Sequence, residues 1–329
     1  MKPVQPIAAS RDIDDCAPRA VVDVARSGVG LNRFHSVQLD SQVTQRAGHE
    51  PVSGWAAYQH GCIEVLRERG DEVPAIWASL DSDVPIGAGL SSSAAVEVAM
   101  LRALRALLDI AMDDVEIAQL AQRAENKFAG VNCGILDQMA SSLATTDRML
   151  YLDTRSFERH LLPMPGDSGV LVLDSGQSRS LATSGYNERR AECERAAELS
   201  GLASLRDMEQ LPPAGALPAR LYRRVRHVFT ENARVTRANR GVDATEFGQL
   251  MNQSHASLSM DYEVSTAAVD HLVALLQADP DVFGAKLTGA GFGGACVALV
   301  RAGTGGAVAC RILPAFAARY AGASVLVSD

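Results

Sequence analysis

The sequence predicts a mixed helix-and-strand protein of two domains, and three observations carry that prediction. At 329 residues the chain is too long for a minimal domain and suits one large or two medium ones. Strand-like and helical segments both recur along it. A Pro- and Gly-bearing stretch, Pro163 to Gly169, interrupts the pattern near the middle, so the expected division is 1–165 and 166–329.

Composition fits a globular chain: 47% of residues are hydrophobic and 21% charged. Aromatics are only 5%, so the core must rest on Ala, Val and Leu. The net charge of −8 argues against nucleic-acid or anionic-membrane partners. It leaves room for a local phosphate site, because backbone amides supply that field without cationic side chains. The six cysteines form no CxxC pair and read as reduced thiols, most of them expected to be buried. Nothing resembles a secretory leader or a membrane span, so the expected location is cytoplasmic.

Residues 1–20 read as irregular, and Arg33–Asp40 alternates like a half-exposed strand. Trp55–Arg69 is helical in spacing, with Tyr58, Cys62 and Leu66 four apart, and Ala75–Leu80 reads as a strand. Ala94, Ala95, Val98, Leu101 and Leu108 mark an apolar helix. Asp113–Phe128 is a second helix with acidic residues in its first turn. After a break at Asn132-Cys133-Gly134, Ile135–Leu143 looks helical. Strands are expected at Met149–Asp153 and Val170–Asp174, then helices at Tyr186–Leu199, Leu221–Ala238 and Thr266–Ala278. Leu211–Pro218 is a Pro/Ala loop. Ala285–Thr288, a glycine cluster and Ala295–Val300 read as strand, tight turn, strand.

Three constellations carry candidate chemistry. In Pro85-Ile-Gly87-Ala88-Gly89-Leu90-Ser91-Ser92-Ser93-Ala-Ala95, two glycines allow close backbone approach and three serines open an apolar helix. Free N–H groups, the helix dipole and hydroxyl donors converge there, as a polyphosphate requires. No Lys follows the second glycine, which excludes the Walker pattern; the bland alternative is a serine-capped strand-to-helix turn. Gly289-Ala-Gly291-Phe-Gly293-Gly294 fits G-x-G-x-x-G literally, but a strand follows it, against a dinucleotide site. It is either a tight hairpin or a second loop over a phosphate or substrate. Glu125 and Asp137 flank the Gly-containing break and offer one carboxylate for Mg²⁺ and one for the attacking hydroxyl, or else are ordinary helix-end acids. Gly166-Asp-Ser-Gly169 lacks the setting of a serine-protease nucleophile. His255 and His271 read as structural, and Lys127 and Arg189-Arg190 as a solvated helix face.

Taken in order, these segments resemble the GHMP small-molecule kinases, and within them the galactokinases. Pro85–Ala95 is similar to the family's second motif, and Leu287–Gly294 to its third. Gln122–Asn126 with Gly130–Gln138 resembles the stretch that supplies the catalytic aspartate, and Ser184–Cys193 the sugar-contacting tyrosine segment. Arg226–Ala233 and Ser254–Leu258 match further signatures. The resemblance implies an α+β, two-domain kinase with its active site in the interdomain cleft, with ATP and Mg²⁺ as cofactors and galactose as substrate.

It implies Asp137 as the catalytic carboxylate, Gly134 and Tyr186 as sugar contacts, and Ser92 and Glu125 as Mg²⁺ ligands. Gly87 to Ser93 would wrap the ATP phosphates, and Trp55 would lie near adenine. The expected assembly is a monomer. The family's opening motif, an Arg followed by Glu-His-x-Asp, has no match between Met1 and Asp40. That departure predicts weakened transfer, and it keeps open a non-catalytic sugar- or ATP-binding homologue. A kinase for a related sugar such as N-acetylgalactosamine stays open beside it.

Overall fold

The computed structural model describes residues 20–26, 54–74, 76–82, 84, 89–145, 148–177 and 182–328. The strand expected over 33–40 lies outside them. The chain folds as two compact units, the first ending at Leu161 and the second running on from Leu162 and also taking in Gly89 and Leu90.

The first unit sets helices against a short antiparallel pair. β1 (Ala20–Arg26), which the sequence reading leaves unassigned, pairs with β2 (Ile76–Ser82) from Ala20↔Ser82 to Arg26↔Ile76. α1 (Ala56–Arg69) stops at Gly70, whose φ of 104° is closed to most side chains. α2 (Ser92–Leu108) and α3 (Asp114–Ala124) pack on it through Cys62, Leu66, Leu101, Leu104, Ile117 and Leu120. Asp113 starts α3 by accepting from the Val115 and Glu116 N–H groups at 2.9 and 2.8 Å. The helix expected to run unbroken to Phe128 instead opens into a π-turn over Glu125–Ala129. α4 (Leu136–Leu143) then leads to β3 (Arg148–Leu152) and β4 (Arg159–Pro163), an exposed strand that the sequence reading leaves unassigned.

The second unit is built on a four-stranded antiparallel sheet, order β6-β7-β5-β8, from β5 (Ser168–Asp174), β6 (Val282–Leu287), β7 (Ala295–Arg301) and β8 (Ser324–Ser328). Helices α7 (Ala244–Met260), α8 (Ala267–Ala278) and α9 (Gly305–Ala317) cover it, and Leu171, Leu173, Leu272, Leu276, Ile312 and Phe316 fill the core between. α7 meets β6 backbone to backbone: a Cβ on Gly248 would stand 2.1 Å from the Phe283 carbonyl oxygen. α5 (Ala182–Leu199) and α6 (Ala219–Asn239) form a smaller pair.

Two expectations are corrected here. Arg189 is not on a solvated face: it is buried and donates to Glu192 at 2.7 Å, while Arg190 is exposed. Nor are most described cysteines buried. Cys62 and Cys296 are, Cys133 and Cys193 are half-buried, and Cys310 is exposed on the outer side of α9, whose inner side fills the core; all five are free.

Candidate active site

α2 begins abruptly. Gly89 has φ 87°, and Ser91, at the N-cap, is itself left-handed with φ 55° and ψ 44°. That geometry turns the chain into Ser92 and Ser93 in the first helical turn, where N–H groups have no intrahelical partner and the positive end of the dipole lies. Leu90 and the three serines are half-buried. Pro85, Gly87 and Ala88 lie outside the described residues.

One turn further on, α2 buries a carboxyl. Glu97 is 0% exposed and on the same stripe as Ala94, Leu101 and Leu104. Opposite it stands Glu125, 5% exposed, which the π-turn holds inward. Gln138, on α4, bridges the pair: its Nε2 donates to Glu125 Oε2 at 2.6 Å and reaches Glu97 Oε2 at 3.5 Å. Burial, then repulsion from Glu125, pushes Glu97 up to about 10, so it is a neutral acid at pH 7. Glu125 is raised by burial and by the charge of Asp137. Hydrogen bonds from Ser93, Cys133 and the protonated Glu97 oppose that rise and favour its carboxylate.

The break before α4 is also fixed. Asn126 Oδ1 accepts from the Cys133 N–H at 2.9 Å, and Gln122 Nε2 donates to the Cys133 carbonyl at 3.2 Å. Those bonds set Gly134, which is exposed, and Asp137, which is exposed in the first turn of α4. Thus the first unit gathers Ser93, Glu97, Glu125, Cys133 and Gln138, with Asp137 close enough for its charge to act on Glu125. Trp55 caps α1 and is 38% exposed. Among the described residues no cluster of three or more His, Cys, Asp or Glu has metal-holding geometry.

In the second unit, the 289–294 turn joins β6 to β7. The residue after Gly294 starts a strand, as expected, which removes the dinucleotide reading. Gly291, Phe292, Gly293 and Gly294 all have positive φ. Gly294 O accepts from Ser175 N–H at 3.1 Å and from its Oγ at 2.7 Å, and the Gly294 N–H donates to Gln177 O at 3.2 Å. Tyr186 is half-buried in the opening turns of α5.

Glu97 and Gln138 carry no role in the sequence reading. Glu97 had a signal: it falls in the 3-4-3 apolar stripe of α2, where a carboxyl is unexpected. Gln138 had none, because its partner is set by the π-turn.

Comparison with known proteins now bears on this geometry. The family model "GHMP kinases N terminal domain" matches residues 57–145, and "GHMP kinases C terminal" matches 238–318. The galactokinase of Mannheimia succiniciproducens is 37% identical over 82% of this chain and 72% of its own length. That of a Roseiflexus species is 41% identical over 75% and 66%. The chain belongs to the galactokinase family of GHMP kinases. Among solved structures, Lactococcus lactis galactokinase complexed with galactose superposes with TM-score 0.79 at 31% identity, covering 84% of this chain and 76% of that one. The Methanococcus jannaschii mevalonate kinase, 20% identical with TM-score 0.54, covering 82% of this chain and 74% of that one, shares the fold. Membership of the family makes the chain an ATP-dependent sugar kinase of α+β fold. Among the described residues no helix is long and apolar enough to cross a membrane.

Proposed function

We propose that this chain transfers the γ-phosphoryl group of ATP to the anomeric hydroxyl of galactose. The observation that carries the site assignment is the meeting of a serine-rich helix N-terminus with a buried carboxylate, Glu125, beside the exposed Asp137. The galactokinase names of the relatives, and the galactose in the Lactococcus lactis structure, support the sugar.

In this reading Gly87, Ala88, Gly89, Leu90 and Ser91 to Ser93 wrap the phosphates with backbone N–H groups and hydroxyls, with Pro85 leading into the loop. Ser92 and Glu125 hold Mg²⁺. The donor set fits: a hydroxyl and a carboxylate are hard oxygen ligands of the kind Mg²⁺ takes, so these two side chains would hold it beside the phosphates. When bound, the ion neutralises charge developing on the phosphates. Gln138 and the neutral Glu97 hold Glu125 in place from behind.

Asp137 orients the anomeric hydroxyl and takes its proton as the O1–P bond forms and the bond to the β–γ bridging oxygen breaks, releasing ADP. The family resemblance supports Gly134 and Tyr186 as sugar contacts, Trp55 as the residue near adenine, and Gly289, Gly291, Gly293 and Gly294 as the family's third-motif loop. The working form is a cytoplasmic monomer without nucleic-acid or membrane partners; a light-scattering mass of one chain tests the monomer.

The assay is galactose-dependent ADP release by Asp137→Ala and Asp137→Asn. The expected result is at least a roughly hundredfold fall in kcat with ATP binding retained. Unchanged turnover in Asp137→Ala removes the assigned role.

A further inference from the structure

The 289–294 turn contains a residue that its own backbone disfavours. Phe292 sits at φ 60°, in the left-handed region where a bulky side chain is an outlier, although its neighbours are glycines. A glycine there would relieve the backbone, so the ring must be held by what it touches. The backbone is pinned: the Phe292 N–H donates to Val264 O at 2.7 Å, and a Cβ on Gly291 would stand 2.3 Å from that same oxygen. The ring packs on the edge of the main core and lies flat against Gly185 in α5. A Cβ added to Gly185 would stand 2.5 Å from Phe292 Cζ, 2.7 Å from Cε1 and 2.8 Å from Cε2. Contacts below 3.0 Å require something to move, so only glycine lets the ring and the helix come this close.

The residue after Gly185 is Tyr186. We propose that Phe292 is a positioning residue: its ring, seated on Gly185, sets the opening turns of α5 and thereby the place of Tyr186 against the sugar. The proposal rests on the reading of Tyr186 as a sugar contact. It adds a physical link within the second unit between the glycine turn and that tyrosine, so displacing the ring displaces the sugar site.

The test is a size-swap cycle on the full chain, reading galactose binding by calorimetry and KM for galactose and ATP in the kinase assay. The variants are Gly185→Ala, Phe292→Leu, the double variant and Tyr186→Phe. Gly185→Ala jams the ring and is expected to raise the galactose Kd and KM about tenfold, with ATP KM and kcat moving less than about threefold. Phe292→Leu vacates the volume near Cζ, so adding Gly185→Ala to it is expected to cost little more. The double variant then binds galactose better than Gly185→Ala alone. Additive losses overturn the coupling, as does a Gly185→Ala chain with wild-type galactose Kd. If Phe292→Leu does not fold cooperatively, Gly185→Ala alone still decides through its split between galactose and ATP KM; equal loss on both refutes positioning. Tyr186→Phe with unchanged galactose affinity overturns the sugar-contact reading itself. Loss in Tyr186→Phe combined with additivity in the cycle overturns only the role of Phe292.

Discussion

Replacing Arg224 with methionine keeps most of the volume and removes a fully buried guanidinium. Arg224 is 0% exposed; it donates through Nε to Glu192 at 2.6 Å, through Nη2 to Glu263 at 2.5 Å and through Nη1 to the Asp261 carbonyl. It ties α5 and α6 to the 261–264 turn, on which the 289–294 turn leans through Val264. Breaking a buried ion pair costs about 3–5 kcal/mol, mostly from the charge left behind. Both carboxylates keep another arginine, Glu192 with Arg189 and Arg220, Glu263 with Arg223, and the Glu263 side chain is 41% exposed. The loss therefore belongs at the lower end, about 3 kcal/mol. Urea unfolding followed by far-UV circular dichroism measures it.

The pH dependence follows with a definite sign. The Arg224 hydrogen bond holds Glu263 below the usual carboxylate range. For Glu192, burial pulls upward but the bonds from Arg224 and Arg189 outweigh it, so it too is lowered. Depressed folded values mean that the stability is present above the unfolded value and is lost as pH falls through the folded ones. The gap between wild type and Arg224→Met should thus be full at pH 7 and narrow below about pH 4. A loss under about 1 kcal/mol at pH 7, or a gap that widens in acid, refutes the reasoning.

Three further outcomes are expected. Gly248→Ala drives a methyl into the Phe283 carbonyl, so it should cost at least about 1–3 kcal/mol or abolish soluble expression, read by thermal melting. Burial pushes His227 down to about 4, so the unfolded chain binds the extra proton between pH 6.5 and 4. This group should remove on the order of 3 kcal/mol over that window, a slope that His227→Asn flattens in urea titrations. Burial and the neighbouring Glu125 push the Cys133 thiol up to about 12, so at pH 8 mass spectrometry should find Cys310 alkylated well before Cys133.

Much of the fold was legible where periodicity was strong. The apolar stripe of α2, the acid-capped start of α3 and the strand-turn-strand around Gly289–Gly294 all appear at or within a few residues of their expected places. α7 was left unassigned, because the side it buries is mostly small or polar, Ala244, Gly248, Ser254, His255 and Ser257, with Met251 its one large apolar residue, and Gly248 serves close backbone approach to β6. α9 was hidden by Gly305, Gly306 and Pro314, each a usual breaker. β4 exposes nearly its whole length and so has no alternation to read. Within the candidate site, the serine run with its two glycines stood out by composition, and Glu125 and Asp137 took their roles from the family resemblance. The π-turn did not, and it determines that Glu125 faces Gln138 and Glu97 rather than solvent.

The most direct test of the central claim is phosphorus and proton NMR of the full chain incubated with Mg²⁺, ATP and galactose. Transfer to the anomeric hydroxyl predicts a new phosphate resonance coupled to the anomeric proton of galactose, rising in step with ADP and absent with Asp137→Ala. ADP formed without that coupled signal, or bound ATP with no sugar phosphate, would contradict it.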